Sequence, residues 1–230
     1  SSDLFFFATL NIFSQSSAGD KAIYESRYIV DMPTAGVLAK GTFSIYTMMF
    51  QEGGLMAELY TAPFEDFNMG LSFGGSNVVG TGKPTFQNLP GIHIKYRIID
   101  ESRGFPAITL GVITQGRGFF YTDATRFQTM SPGVFAAVSK NFKWALGALA
   151  LHGGLNYSFE PKPENRNVNF YAGLEQSIGN VISLNLEFNS NLDDKNRDIT
   201  LNQGMLNAAL RWSVAKGLTF ELQARDLLKN

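Results

Sequence analysis

The chain has 230 residues, a net charge of −1 and no cysteine, and its sequence pI is about 6.1. This charge balance gives no indication of nucleic-acid binding, and the absence of cysteine excludes disulfides, thiolate metal sites and cysteine nucleophiles. Mean hydropathy is −0.04 and the sequence has no run of about 20 apolar residues, so a bundle of transmembrane helices is excluded too.

The chain begins with an apolar run of ten residues, LFFFATLNIF (Leu4–Phe13). The run has the length of the apolar region of a signal peptide, and Ser16 and Ala18 are small residues at the spacing that a signal peptidase reads. The usual basic start and the initiator Met are missing from the sequence. We therefore interpret residues 1–18 as a truncated signal peptide, and a buried N-terminal strand is the alternative interpretation.

Beyond this run, apolar and polar residues alternate with period 2 in one segment after another, which predicts β-strands. The clearest segments, in chain order, are Phe67–Phe73, Ile92–Ile98, Val168–Glu175, Val181–Ser190, Met205–Val214 and Leu218–Arg225. Less regular strands fit at 41–50, 54–61, 105–115, 132–140 and 144–157. The sequence thus predicts eleven strands, and it predicts no helix of useful length before the last few residues.

Ionisable residues in the clear strands all lie on the face opposite the apolar side chains. They are His93, Lys95, Arg97, Glu175, Glu187, Arg211, Glu221 and Arg225. A Lys or Arg that faces lipid at mid-depth costs about 2–4 kcal/mol, so a membrane barrel must keep such residues off one face. The distribution satisfies that requirement. A soluble sandwich also alternates, and this pattern alone does not separate the two.

The connections between the strands alternate in length from the second predicted strand onward. The short ones are Thr61–Asp66, Glu101–Gly104, Lys140–Lys143, Ser177–Asn180 and Ala215–Gly217. The long ones are Gly74–Pro90, Gly116–Ser131, Ser158–Asn167 and Ser190–Gln203. Outer-membrane barrels have short periplasmic turns and longer extracellular loops, so the alternation favours such a barrel.

These patterns together predict an all-β fold, an antiparallel up-and-down transmembrane β-barrel of about twelve strands. Eleven strands are visible, and because bacterial single-chain barrels have an even number, we expect the closing strand to be missing from a chain truncated at both ends. Pairing of Ala22–Val30 as the twelfth strand is the alternative. In this interpretation residues 19–40 are a periplasmic lead-in, and residues 41–230 are the barrel domain.

The polar faces supply the candidate functional residues, which we expect to face the lumen. They are Glu58, His93, Lys95, Arg97, Glu175, Glu187, Arg211, Glu221 and Arg225. Carboxylates and basic groups of this set can pair across a narrow interior or line a small aqueous path. We expect Glu187 to pair with an inward arginine. No cofactor and no metal site is predicted, because Asp193, Asp194 and Asp198 miss the spacing of a calcium-binding loop.

One arrangement leaves an enzymatic alternative open. His152 lies close in sequence to Asn156 and Ser158, and a His–Ser–Asn group inside a barrel could belong to a lipid hydrolase. Such an enzyme needs its nucleophile within hydrogen-bond reach of the base. The sequence does not demonstrate this geometry, so we predict no catalytic residue.

Two stretches resemble the outer-membrane barrel family typified by YjbH-like proteins. They are PGIHIKYRIIDESRGFPAITLGV (Pro90–Val112) and GVFAAVSKNF (Gly133–Phe142). The segment ESRYIVDMPTAGVLAKG (Glu25–Gly41) looks like the lead-in of uncharacterised barrels. YjbH-like proteins are linked to exopolysaccharide production, so the resemblance implies a barrel fold and a role connected with exopolysaccharide. It brings no catalytic motif, and no functional residue is carried over.

The sequence therefore predicts a non-enzymatic protein of the bacterial outer membrane. Its expected role is that of a porin-like passive pore or an envelope component, for small polar solutes or exopolysaccharide. The expected partners are outer-membrane lipid, lipopolysaccharide, the barrel-assembly machinery and proteins of the envelope or of polysaccharide export, and no nucleic acid. The alternatives are a barrel-embedded lipid hydrolase and a soluble secreted β-barrel or sandwich with a binding role.

Overall fold

The computed structural model describes residues 4–12, 25–144, 147–160, 166–179, 181–194, 204–215 and 217–228. These residues form fifteen strands: β1 (Leu4–Ile12), β2 (Phe43–Phe50), β3 (Gly54–Phe64), β4 (Phe67–Ser76), β5 (Thr85–Phe86), β6 (Gly91–Ile99), β7 (Ala107–Ile113), β8 (Arg117–Tyr121), β9 (Arg126–Thr129), β10 (Gly133–Trp144), β11 (Gly147–Tyr157), β12 (Asn169–Ile178), β13 (Ile182–Asn189), β14 (Met205–Ala215) and β15 (Leu218–Ala224). Across these ranges we find no helix long and apolar enough to cross a membrane.

Thirteen of the strands form one antiparallel sheet. The order of neighbours is β3-β2-β1-β15-β14-β13-β12-β11-β10-β7-β6-β4-β5, and β3 also pairs with β4. Apart from the two-residue β5, every strand of this sheet therefore has a partner on each side. The strands β8 and β9 form a separate hairpin. The prediction of an all-β, antiparallel chain of about twelve strands is confirmed.

The eleven predicted strands correspond to β2, β3, β4, β6, β7 and β10 to β15. The predicted link Lys140–Lys143 is wrong, because these residues continue β10 as far as Trp144. The predicted loop Gly116–Ser131 contains the hairpin β8–β9. Short stretches of this kind carry too few alternating residues to stand out from a loop.

The strand β1 lies between β2 and β15 and is antiparallel to both. This is the position at which we expected the missing closing strand. β1 falls within residues 1–18, for which an N-terminal strand was given above as the alternative to a signal peptide. The division of the chain at residues 18 and 40 stays a prediction. In the other alternative for the twelfth strand, residues 22–24 lie outside the described part of the chain, and residues 25–30 form no ladder with the sheet.

Burial in the sheet is the reverse of that in a water-soluble protein. In β13, Leu184 and Leu186 are each 44% exposed, whereas Asn185 and Glu187 are each 1% exposed. The same alternation runs through β6, where His93 is buried between exposed isoleucines. The register maintains this alternation from strand to strand, because in most pairs of β12 to β15 an apolar residue lies opposite an apolar one and a polar residue opposite a polar one. The sheet therefore has an exposed apolar face and a buried polar face.

The two ends of the strands differ in the length of most of their connections, and 51–53 is a short link at the end that carries the long loops. One end of the strands, named the short-turn end, carries the connections 65–66, 100–106, 145–146, 179–181 and 216–217. The other end of the strands, named the long-loop end, carries the connections 51–53, 77–90, 114–132, 158–168 and 190–204. At the long-loop end the hairpin β8–β9 folds onto the buried face, where Phe119 packs edge-on against Phe50 with ring centres 5.8 Å apart.

Residues 25–38, here named the buried segment, lie against the buried face of the sheet, and residues 28–38 are all buried. The segment folds back on itself, since Ile29 N–H donates to the carbonyl of Met32 at 2.8 Å and Thr34 N–H donates to that of Arg27 at 3.0 Å. The polar face of the sheet and this segment together form the centre of the molecule.

Candidate functional site

All nine residues predicted to face a lumen lie on the buried face of the sheet or at its margin. Six of them are buried: Glu58, His93, Lys95, Glu187, Arg211 and Glu221. The other three are half-buried: Arg97, Glu175 and Arg225. Most of these side chains bind the buried segment rather than one another. The candidate site is therefore the contact between the polar face and residues 25–38.

Glu187 holds the turn of the buried segment. Its Oε2 accepts hydrogen bonds from three consecutive backbone N–H groups, those of Val30, Asp31 and Met32, at 2.8–2.9 Å. Its Oε1 accepts from the side-chain amide of Asn207 on β14 at 2.9 Å. Bonds to a carboxylate are charge-assisted and stronger than those to a neutral acceptor. The prediction that Glu187 pairs with an arginine is wrong, because the main chain of the segment supplies its donors.

Arg211 joins two strand carboxylates to the same segment. Its guanidinium forms ion pairs with Glu221 on β15 and, at 3.2 Å, with Glu175 on β12. Its Nη2 donates to the carbonyl oxygens of Tyr28 at 2.8 Å and Ile29 at 2.6 Å. The planar guanidinium has enough donors to serve all four groups at once, which a lysine could not do.

The basic row on β6 binds the base of the segment. Lys95 Nζ donates to the carbonyl oxygens of Arg27 at 3.2 Å and Gly36 at 2.8 Å. Arg97 forms an ion pair with Glu25, the first residue of the segment. These contacts lie towards the short-turn end, whereas Glu187 lies towards the long-loop end. The segment therefore extends through the layer that the buried face covers.

Asp31, at the tip of the segment, connects it to the long-loop end. Its carboxylate accepts from Arg225 Nη2 at 2.8 Å and from Arg225 Nε at 2.9 Å. Arg117 of β8 lies with its Nε 3.8 Å from the same carboxylate and also forms an ion pair with Glu58. The Arg117 guanidinium stacks over the ring of Tyr28, 4.7 Å from its centre. Sequence reasoning missed Asp31 and Arg117, because both stand outside the alternating strands.

His93 belongs to a chain of hydrogen bonds among uncharged side chains. Its Nδ1 lies 2.5 Å from Tyr60 Oη, its Nε2 lies 2.7 Å from Ser72 Oγ, and Tyr60 Oη bonds to Tyr28 Oη of the segment. The rings of Tyr60 and His93 meet edge-on with centres 4.8 Å apart. These contacts assign His93 to hydrogen bonding within the interior.

The group expected for a lipid hydrolase is not assembled. His152 Nδ1 lies 2.8 Å from Ser139 Oγ and makes no hydrogen bond to Asn156 or Ser158. Ser139 is itself buried, and its Oγ accepts the N–H of Ala35 at 2.9 Å. The buried segment thus covers this Ser–His pair.

The long loops are tied to one another by a second set of polar contacts. Arg126 of β9 binds Asp194 with two bonds of 2.7 Å, and Glu160 accepts the N–H groups of Phe127 at 2.9 Å and Ser131 at 2.7 Å. Burial raises the pKa of the Glu160 carboxyl. The described parts of three loops, 114–132, 158–168 and 190–204, are therefore joined to one another at the long-loop end.

The acidic loop of the sequence shows no metal centre in its described part. The Asp194 carboxylate forms an ion pair with Arg126, and burial raises the pKa of the Asp193 carboxyl. Asp198 lies outside the described residues. Within the described ranges, no three side chains of His, Cys, Asp or Glu are arranged to hold a metal ion.

Compared with family models and with curated proteins, the chain gives no match. The resemblance to YjbH-like proteins stays a prediction. The geometry of the buried face and its segment is therefore the basis for any assignment of function.

Proposed function

We propose that this chain is an outer-membrane β-barrel protein, an envelope component whose lumen is filled by the buried segment. The observation that carries the proposal is the reversed burial: apolar side chains cover the exposed face, and charged side chains lie inside. The pairing of β3 with both β2 and β4 supports closure, since the twelve long strands then follow one another in a ring.

The exposed face fits lipid and not water. Large apolar side chains are exposed on nearly every long strand, among them Leu71, Ile94, Leu155, Phe170 and Trp212. Soluble monomers rarely expose a contiguous apolar patch of more than a few hundred Å². In a bilayer the same side chains lie in their preferred medium, and closure into a barrel leaves no unpaired sheet edge in the lipid. A soluble sandwich would bury these residues and expose Lys95 and Glu187.

The filled interior favours a closed resting state over an open pore. The buried segment occupies the layer between Arg97 at one end and Asp31 at the other, so it stands in the path that small polar solutes would take through the interior. An exopolysaccharide chain would have to displace the segment completely. Outer-membrane lipid, lipopolysaccharide and the barrel-assembly machinery are the partners that this function requires.

Liposome flotation tests the proposal. The full chain is refolded in detergent, mixed with liposomes and centrifuged through a density gradient. We expect it to float with the lipid and to resist extraction by carbonate at high pH. A chain that stays monomeric in buffer without detergent and sediments apart from the liposomes would contradict the proposal and favour a secreted binding protein.

A further inference from the structure

The buried segment is held mainly through its main chain, and the groups that hold it include charged side chains of the strands. Lys95 and Arg211 donate to its carbonyl oxygens, and Glu187 accepts from its N–H groups. The segment itself adds no strand to the sheet. It can therefore leave its place without breaking a strand pair of the sheet.

The charges linked to the segment are balanced only when the segment is counted. The strands, the hairpin and the residue after β15 supply four carboxylates and five cations. The carboxylates are Glu58, Glu175, Glu187 and Glu221, and the cations are Lys95, Arg97, Arg117, Arg211 and Arg225. The segment adds two carboxylates and one cation, Glu25, Asp31 and Arg27. Removing the segment leaves this set with an excess of one positive charge.

The pairing within the set shows which of these charges depend on the segment. Glu175 and Glu221 keep their ion pairs with Arg211, and Glu58 keeps its pair with Arg117, because none of these partners belongs to the segment. Lys95 loses both carbonyl oxygens that it binds. Withdrawal thus leaves three of the four carboxylates in ion pairs, with one arginine shared by Glu175 and Glu221, and it exposes the ammonium group of Lys95.

Withdrawal also changes the contacts of the remaining charged residues, and their charges must be added together. Glu187 loses three N–H donors and keeps the amide of Asn207. Arg97 loses its pair with Glu25 and keeps a contact with Asp100 at the short-turn end. Glu187 and the second carboxylate at Arg211 are offset by Arg97 and Arg225, and the charge of Lys95 remains in excess.

We propose that residues 25–38 are a displaceable plug, and that the path it closes conducts small inorganic anions in preference to cations. This inference rests on the proposed membrane barrel and adds a gate and a selectivity to it. A path lined by unpaired basic groups attracts anions, as in the basic rings of anion pores. The way out leads to the short-turn end, where the segment joins β2.

The test uses planar lipid bilayers with the full chain and two plug variants. In one, residues 28–36 are replaced by a glycine–serine stretch of equal length, which leaves every strand charge in place. In the other, Asp31→Ala removes the ion pair with Arg225. We expect a nearly silent wild type and a rise in mean conductance of about tenfold or more in both variants, since losing a buried ion pair shifts a two-state population by such a factor.

Selectivity is read from the reversal potential in a KCl gradient. The open variants should show the sign for chloride, and adding Lys95→Gln should shift the potential towards zero. Glu65→Ala is the matched control, because it removes a carboxylate at an exposed turn position and should leave the conductance of the wild type unaltered. A preference for potassium in the open variants would overturn the anion assignment.

Failure of this inference is distinguishable from failure of the proposed function. Plug variants that float with liposomes and stay silent would overturn the plug and leave the membrane barrel standing. If the replaced segment prevents folding, Val30→Cys provides the only thiol in the chain. A membrane-impermeant maleimide should then label it faster when Asp31→Ala is also present, and equal slow labelling in both backgrounds would overturn the plug.

Discussion

At the scale of single residues, Glu187 shows what reversed burial requires. A carboxylate with 1% exposure needs donors for its oxygen atoms, and the turn of the buried segment supplies three of them. Alternation in β13 places this side chain inside, and that orientation follows from the sequence. The partner does not, because Val30 and Glu187 are separated by 157 residues and no local pattern links them.

Changing Glu187→Ala should destabilise the protein by several kcal/mol, because each buried N–H left without an acceptor costs about 1–3 kcal/mol. Glu187→Gln should cost less, since its amide oxygen still accepts. Urea unfolding in detergent micelles measures both. The matched control is Glu65→Ala, whose weak pair with Lys40 is exposed, and it should change the stability by no more than about 1 kcal/mol. Equal effects at positions 187 and 65 would contradict this account.

Trp212 tests the direction of the exposed face. It is 54% exposed on the apolar side of β14, and Trp144 is the other tryptophan of the chain. In a Trp144→Phe background, lipids with brominated acyl chains should quench the fluorescence of Trp212 strongly. Aqueous iodide should quench it weakly. The reverse order of the two quenchers would place this face in water.

At the scale of the elements, the sequence pattern predicted every long strand except β1, and six of these strands show clear period-2 alternation. The buried segment could not be found in this way, since Pro33 and Gly36 interrupt any strand pattern and its charged residues look solvated in the sequence. The hairpin β8–β9 was missed because it lies within a stretch that reads as a loop. Both elements depend on contacts with strands that are far away along the chain.

The strand β13 allows a direct test of which face meets lipid. Leu184→Arg should prevent membrane insertion or lower the stability in the bilayer by about 2–4 kcal/mol. Leu184→Ala separates loss of the side chain from gain of charge and should be tolerated better. Leu89→Arg is the positional control, because Leu89 is 78% exposed in the long loop 77–90. Liposome flotation compares the three, and full insertion of Leu184→Arg would count against the barrel.

The loop cluster at the long-loop end predicts a dependence on pH. Because burial raises the pKa of Glu160 in the folded protein, the folded state favours the protonated form more than the unfolded state does. The contribution of Glu160 to stability is therefore greatest at low pH and is lost as the pH rises through that raised pKa. Glu160→Gln does not ionise, so its stability relative to wild type should increase between acidic and neutral pH. Urea midpoints across this range give the difference, and a decrease would contradict the assignment.

At the scale of the whole molecule, the sequence predicted the all-β meander and the separation of apolar from charged faces, because both follow from alternation within each strand. It did not predict what fills the centre. That outcome depends on charges from β6, β13, β14 and the hairpin converging on one segment, and such convergence appears only when the sheet is assembled. The sequence left open whether these charged side chains pair across the interior or line a path. In the structure, most of them bind the buried segment instead.

The position of the buried segment in the chain has a consequence for the order of folding. The segment precedes nearly all the strands that hold it, and its contact from Asp31 to Arg225 spans 194 residues. The set of side chains that binds the segment is complete only after β13, β14 and the end of β15 have joined the sheet. Contacts so distant in sequence form late, since the cost of closing the intervening chain comes before their gain. Locking of the segment should therefore be the last step of assembly, and its loss should accelerate unfolding far more than it slows folding.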